Sequence, residues 1–526
     1  MKKLVIISIT LLLSFLLSGS FAQSSRIKCY FNYPVNTVIS SGVNAAYLDD
    51  TFPDTVAAYI NRAKFSIDIV LYNYTSGSNS KVAKLANAIN AAVNRGVVVR
   101  WIHDGTSSTS NTGLSLLSPA VKRLASPNYS NYIMHNKFMV IDANAPDSND
   151  AVAMTGSYNW SDQQTSSDIN NIVFINSRQV ALAFYNEFNK MWGGSGSEPD
   201  INNSRFSVYK TASAQTRFNV EGTDVEVYFS PKDSLGTRLQ RAISTADYDL
   251  FFAIYTLTSN DVASLILQKY NSGVYTKGII DKFSTLFNAY KLLDTALGSN
   301  MLIKGSNTLY HNKVLLADAL HPESDPLVVT GSFNWSLQAQ NSNDENFVII
   351  HDAAVANQYY QSLCQNFTML GGEACTAPPC AGTNNIIVAT ARASNYQWQV
   401  DTGNGFENIT DTVFYSGINR SSLTLINVPT SWYGYRYRCV ADESIAGNTT
   451  VLKFTAYWNG SKSADWNDAS NWNCSLVPDA NTDVIISKGV QYFPTINVST
   501  KCRSIKLNKD ARAVLPAGVT LELTGN

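Results

Sequence analysis

His135-Asn136-Lys137, followed by Asp142 and by Gly156-Ser157-Tyr158-Asn159-Trp160, is a set of residues that could do chemistry. His311-Asn312-Lys313, followed by Asp318 and by Gly331-Ser332-Phe333-Asn334-Trp335, repeats it. Two of the chain's five histidines thus stand at matching points of a duplicated pattern. Imidazole titrates near pH ~6.5, so one copy can attack as a neutral base while the other supplies a proton. Lys137 and Lys313 would balance charge on the non-bridging oxygens of a phosphodiester as its transition state forms. Asn159 and Asn334 would add amide donors, and Ser157 and Ser332 hydroxyls that bind phosphate. Gly156 and Gly331 would let backbone approach the site closely. The gaps from Asp to Gly are 14 and 13 residues, a recurrence that ordinary strand and turn packing does not require.

The elements that must position these residues are duplicated too. The run 63–72, AKFSIDIVLY, answers 246–255, ADYDLFFAIY, and each reads as a buried strand. A helical pattern follows each, over 81–94 and 260–271. Gly96 and Gly273 then open further strands, which end near Asp104 and Asp281. Strand, helix, strand, twice over, predicts two α/β halves related by a pseudo-twofold. Each HxK segment alternates like a strand, placing His135 beside Lys137 and His311 beside Lys313, about 7 Å apart along the chain. Asp142 and Asp318 lie an odd number of residues past their histidines. On a continuing strand they would point off the catalytic face, so both read as structural.

Length and composition bound the rest. A chain of 526 residues, 45% hydrophobic and 15% charged, predicts several ordered domains. Lys2 and Lys3, an apolar run from Leu4 to Leu17 and Ser20-Phe21-Ala22 read as an export signal cleaved before Gln23. No later apolar stretch reaches the roughly 18 residues of a spanning helix. Without residues 1–22 the charged set is 37 bases against 40 acids, which offers no general attraction to nucleic acid or anionic membrane. Seven cysteines suit an oxidising compartment. The expected pairs, each inside one C-terminal module, are Cys380–Cys439 and Cys474–Cys502. No Cys/His spacing suggests zinc, and no metal or cofactor is expected.

After about Gly372 the composition changes, and Cys375-Thr376-Ala377-Pro378-Pro379-Cys380 reads as a linker. Residues 376–455 show short alternating strands, a central Trp398, and Tyr437 two residues before Cys439, a pattern similar to an immunoglobulin-like sandwich. Residues 456–526 read as a small β module. The chain stops at Gly525-Asn526, which leaves both a truncated and a natural end open. The expected organisation is a signal at 1–22, α/β halves at 23–200 and 201–375, and the two all-β modules.

The doubled HxKxxxxD and GSxN motifs resemble the phospholipase D superfamily over roughly residues 30–370. The resemblance implies two phospholipase D-like halves whose motifs meet at one shared site. It implies metal-independent, two-step transfer through a phosphohistidine. His135 would be the nucleophile and His311 the acid that protonates the leaving group and then activates water. It also implies that an acid fourteen residues past the GSxN glycine orients the opposite half's histidine. That position holds Glu345 in the second half but Asn170 in the first, so Glu345 would hold His135 and Asn170 would face His311. An amide supports a cationic imidazole less than a carboxylate does, so His311 should be the less basic. Asp168 is an alternative partner. His103, His321 and His351 read as structural.

Three functions are compatible: a secreted phospholipase D-type hydrolase of phospholipid head-group diesters, a secreted nuclease of the same superfamily, and a surface binding or adhesion protein. Both His-Lys pairs and both asparagines are present, which disfavours the last. Residues 23–375 hold 25 Lys+Arg and 29 Asp+Glu, which disfavours a nucleic-acid groove. The sequence favours lipid hydrolysis by a monomer, with the β modules contacting glycan or the cell surface.

Overall fold

The computed structural model describes residues 26–526 apart from 41–42, 107, 306–307, 322–323, 373–379, 390–392, 421, 443, 461, 487–489, 508–510 and 526. The expected signal at 1–22, and the linker read at 375–380 except Cys380, lie outside the described residues.

Two eight-stranded mixed sheets form the duplicated body. Across the first, the order is Ala46–Tyr47, Ile27–Phe31, Asn171–Ile175, Val152–Gly156, Lys137–Ile141, Ser66–Leu71, Val98–His103 and Lys122–Ala125. Across the second it is Arg217–Val220, Thr223–Phe229, Asn346–His351, Leu327–Gly331, Lys313–Ala317, Asp249–Ile254, Tyr275–Asp281 and Met301–Lys304. The sheets match strand for strand except at one edge. There Ala46–Tyr47 pairs parallel to its neighbour, whereas Arg217–Val220 pairs antiparallel.

The apolar runs read from the sequence are the central parallel strands. Ser66–Leu71 pairs with Val98–His103, and Asp249–Ile254 with Tyr275–Asp281. Buried on both faces, such strands need no polar alternation. The intervening helices are Ala83–Asn94 and Asn260–Asn271.

Two long helices fill the seam between the sheets. Arg178–Trp192 packs on the first sheet and touches Thr223–Phe229 of the second. Ala353–Met369 packs on the second and touches Ile27–Phe31 of the first. Each has a capping side chain: Ser177 accepts from the Val180 N–H, and Asp352 from the Val355 N–H. Such a cap contributes about 1 kcal/mol. Phe184 sits edge-on between Phe138 and Phe229, with ring centroids 5.1 and 5.2 Å away, so one apolar core spans both halves.

The HxK segments depart from the sequence reading. Each strand begins at the lysine, not the histidine. The histidine backbones pair across the seam instead: the His135 N–H donates to the Asp344 carbonyl at 2.9 Å, and the His311 N–H to the Ile169 carbonyl at 3.0 Å. The strands also end before the motif aspartates, which take positive φ values of 52° at Asp142 and 51° at Asp318. Asp142 accepts from the backbone N–H groups of Lys64, Phe65 and Ser66, and Asp318 from those of Asp247, Tyr248 and Asp249. Each thus fastens the start of a central parallel strand.

Beyond the body lie small all-β modules. A three-stranded and a four-stranded antiparallel sheet enclose Trp398, Leu423, Leu425 and Tyr437. A last module packs Trp458, Trp466 and Trp472 edge to face. The expected disulfides are corrected. Cys380 bonds Cys474, joining the two modules, while Cys439 and Cys502 are buried thiols. Pairing follows Cα proximity, here 5.4 Å, and Cys439 instead faces Trp398 across a strand pair.

Candidate active site

The duplicated motifs converge at the seam. His135 Nδ1 lies 2.8 and 2.9 Å from the two Glu345 carboxylate oxygens of the other half. His311 Nδ1 lies 3.0 Å from Asn170 Oδ1. Both contacts span the pseudo-twofold, and they follow from the backbone pairs just described, because Glu345 and Asn170 are the next residues after Asp344 and Ile169.

The residues around these pairs fix them. Ser332 Oγ donates to Glu345 at 2.7 Å, and Ser157 Oγ donates to Asn170 at 2.9 Å. These hydroxyls, suggested by the sequence as phosphate donors, hold the orienting residues. The Asn170 amide N–H groups donate to the carbonyls of Gln164 and Asp168 at 3.0 and 3.1 Å. Its oxygen is therefore turned toward the imidazole, which must offer Nδ1–H and keep Nε2 for chemistry. The Asp168 carboxylate accepts instead from Gln164 and from the Leu309 backbone N–H across the seam. This removes it as the His311 partner. A Cβ at Gly156 or Gly331 would lie 2.3 Å from the Asn171 or Asn346 carbonyl oxygen, so these glycines permit close approach to the strands that follow the orienting residues.

Lys137 and Lys313 are buried, each with Nζ donating to the carbonyl of its own motif histidine, at 2.9 and 2.6 Å. Burial, then the neighbouring lysines, holds both imidazoles well below their usual range. The contact to Glu345 is therefore a neutral imidazole donating to a carboxylate, rather than an ion pair. Burial pushes Glu345 up to about 7 and Lys137 down to about 7, and holds Lys313 well below its usual value. Glu345 is the carboxylate in direct contact with a motif base, with Asp104, Asp168 and Asp281 acting on the lysines as well, and burial still holds all four bases low, so a phosphodiester anion would favour their protonated forms. The Asn159 and Asn334 Oδ1 atoms are buried and accept no hydrogen bond from the described residues.

Several contributors were not singled out by sequence reasoning. Tyr72 and Tyr255 flank the histidines, with ring centroids 4.9 Å from His135 and 5.2 Å from His311. Each lysine Nζ stands 5.1 Å from the matching tyrosine centroid. Their signal was present as the shared final residue of the aligned 63–72 and 246–255 runs. Asn136 and Asn312, the middle motif residues, accept from the amides of Asn346 and Asn171 at 2.8 and 2.7 Å. Asp104 and Asp281 accept from the Met134 and Tyr310 N–H groups, steering the chain into each histidine. Lys210, from the connection between halves, forms a buried pair with Glu187 and one with Asp344 at 2.6 Å. Of the other histidines, His103 Nδ1 lies 3.0 Å from the Asp104 carbonyl, His321 stacks on Tyr248, and His351 pairs with Glu226 and Asp325.

A duplicated α/β body with one two-histidine site at its seam defines the two-motif phospholipase D-like class. Residues 56–192 and 239–366, together half of the chain, match the family described as cardiolipin synthase, PLD-like domain, and the chain belongs to that family. Residues 457–526 match a domain of unknown function. The mitochondrial cardiolipin hydrolase of Xenopus tropicalis is 32% identical over 135 residues, 25% of this chain and 56% of that protein. The phospholipase D of Rickettsia prowazekii (strain Madrid E) is 24% identical over 177 residues, 31% of this chain and 77% of that protein. The chain thus spans about half the length of the cardiolipin hydrolases it matches. Among solved structures, phosphatidylserine synthase from Haemophilus influenzae Rd KW20 aligns over 65% of this chain and 86% of its own, at 12% identity and a TM-score of 0.46.

Proposed function

We propose that this chain is a phosphodiesterase that cleaves phospholipid head-group diesters through a phosphohistidine at His135. The observation that carries the reading is the crossed pairing of His135 with Glu345 and His311 with Asn170 at one seam. The incoming diester supplies negative charge and raises the proton affinity of His311, Lys137 and Lys313 together. His135 Nε2 attacks phosphorus, and the P–N bond forms as the bond to the leaving oxygen breaks. The His311 proton passes to that oxygen. His311 then takes a proton from water, whose oxygen attacks phosphorus and releases His135. Lys137, Lys313 and the Asn159 and Asn334 amides stabilise the charge that develops on the non-bridging oxygens. Glu345 balances the positive charge on His135 while it carries the phosphoryl group.

The lipid assignment draws on the phospholipid names carried by the relatives and on the acidic balance of the body. The test is head-group release from phosphatidylcholine and cardiolipin vesicles, with EDTA present, beside plasmid DNA and a His135→Ala control. Lipid turnover lost in the variant supports the reading. Nicking of DNA alone would transfer the assignment to a nuclease, and inactivity on every diester would leave a binding protein.

We infer also that the chain is exported with residues 1–22 removed, a reading that the Cys380–Cys474 bond supports. N-terminal sequencing of the mature protein should begin at Gln23. The module at 376–455 is read as immunoglobulin-like from buried Trp398 opposite Cys439 and Tyr437 two residues before it. An experimental structure showing another strand order would refute that.

A further inference from the structure

One element beside the pocket remains unexplained by the chemistry. The turn Lys282–Leu286 is a 3-10 helix that begins where strand Tyr275–Asp281 ends. Phe283 is 45% exposed and Leu286 74% exposed. In a 3-10 helix, residues three apart eclipse, so these two side chains share one outward column. Exposed Lys282 stands beside it.

The turn is tied down from within. Buried Ser284 donates from Oγ to the Tyr255 carbonyl at 2.8 Å and accepts from the Leu257 N–H at 2.9 Å. Asp281 accepts from the Phe283 N–H at 2.9 Å with one oxygen and from the Tyr310 N–H at 2.7 Å with the other. The apolar column is therefore presented by an ordered backbone. It is also continuous with the pocket: the Phe283 ring stacks on Tyr255 at 5.8 Å, and Tyr255 lies beside His311 at 5.2 Å.

The first half ties down the matching turn in the same way, with Asn111 accepting from the Tyr74 N–H at 3.0 Å and donating to the Tyr72 carbonyl at 3.4 Å, but its sequence there carries no apolar column. After Asp104 its sequence runs Gly105-Thr106-Ser107-Ser108-Thr109-Ser110-Asn111, without an apolar residue. A structural need of the fold would appear in both copies, so the column answers to something met on one side of the mouth.

We propose that Phe283 and Leu286 insert into the surface of a phospholipid bilayer while Lys282 meets its phosphates, seating the pocket over the head groups. This inference rests on the phospholipid reading above. The occupant must touch the column and still deliver a phosphodiester past Tyr255. A bilayer does both, whereas a protein seated there would cover the mouth. Apolar tips flanked by a lysine match the boundary between acyl chains and anionic head groups.

The experiment uses the full chain, with sedimentation on vesicles of phosphatidylcholine and phosphatidylglycerol. Leu286→Ser should bind about tenfold more weakly, the effect of keeping one leucine in water. It should hydrolyse the soluble diester bis(p-nitrophenyl) phosphate at the wild-type rate. Leu286→Trp should bind at least as well as wild type, and bromine-labelled acyl chains should quench the added indole. Wild-type binding by Leu286→Ser, an unquenched Leu286→Trp, or loss of single-stranded DNA binding in place of vesicle binding would each overturn the proposal. A wild-type chain that ignores vesicles also overturns it. The catalytic reading would then be judged separately, by turnover of the soluble diester and of detergent-dispersed phospholipid.

Discussion

The two halves bring the same motif to one pocket on the same strands, but they support their histidines differently. His135 leans on the Glu345 carboxylate and His311 on the Asn170 amide. The duplication therefore supplied symmetry of position without symmetry of charge. A carboxylate steadies the cationic ring of a phosphohistidine, which suits His135 to carry the intermediate. An amide oxygen fixes the His311 tautomer while leaving the ring ready to release a proton. The sequences that follow Asp104 and Asp281 differ likewise, polar in the first half and apolar in the second.

Substitutions can break this comparison, beginning with the largest expected effect. His135→Ala should lower turnover on the order of 10⁴-fold or more, because it removes the nucleophile that carries the phosphoryl group. Glu345→Gln should cost about 10²–10⁴-fold, the range seen when an orienting acid is neutralised. Asn170→Ala should cost about tenfold, since it removes one neutral acceptor. Equal losses from the last two, measured as kcat on a soluble diester, would mean that the charge asymmetry is inert.

The pH profile sharpens the same point. Glu345, pushed up to about 7, must be ionised, and Lys137, pushed down to about 7, must be protonated. kcat/KM should therefore trace a narrow bell near pH 7. Activity rises with pH as Glu345 loses its proton and falls as Lys137 and the proton donor His311 lose theirs. Lys137→Arg, at lower rate, should keep only the descending limb that His311 sets.

Stability should separate the linker from the pocket. Lys210→Met leaves Asp344 buried without its cation and Glu187 with Lys190 alone, and should cost about 3–5 kcal/mol in denaturant unfolding. Lys313→Met should do the opposite. The folded protein holds this ammonium well below its usual 10.5, so the unfolded chain binds the proton more readily. That penalty grows as pH falls below 10.5 until the folded lysine also protonates. Removing the amine should raise Tm by a few degrees, about 1 kcal/mol, and the variant should lack the rise in Tm expected of the wild type with inorganic phosphate.

Much of the body was legible in the residues. The twin buried runs, the helices between them and both HxK/GSxN sets recur in order, and local periodicity is enough to read them. The positions of Glu345 and Asn170 followed from the resemblance. What escaped the sequence depends on contacts across the seam. His135 and His311 pair with the opposite half before their strands begin. Asn136 and Asn312 are held by asparagines far along the chain, and Lys210 reaches Asp344 from the connection between halves. The C-terminal disulfide failed for the same reason, because chain order says little about which Cα atoms approach. Tyr72 and Tyr255 were visible as a repeated strand end, but nothing local marks a tyrosine as the neighbour of a catalytic base.

The most direct test is to trap the intermediate. His311→Ala, reacted with bis(p-nitrophenyl) phosphate and quenched in alkaline denaturant, needs no general acid for so good a leaving group and no longer has the base that activates water. Peptide mass spectrometry of base-stabilised digests should find the phosphoryl adduct on His135. An adduct on another residue, or none while turnover continues, would contradict the account.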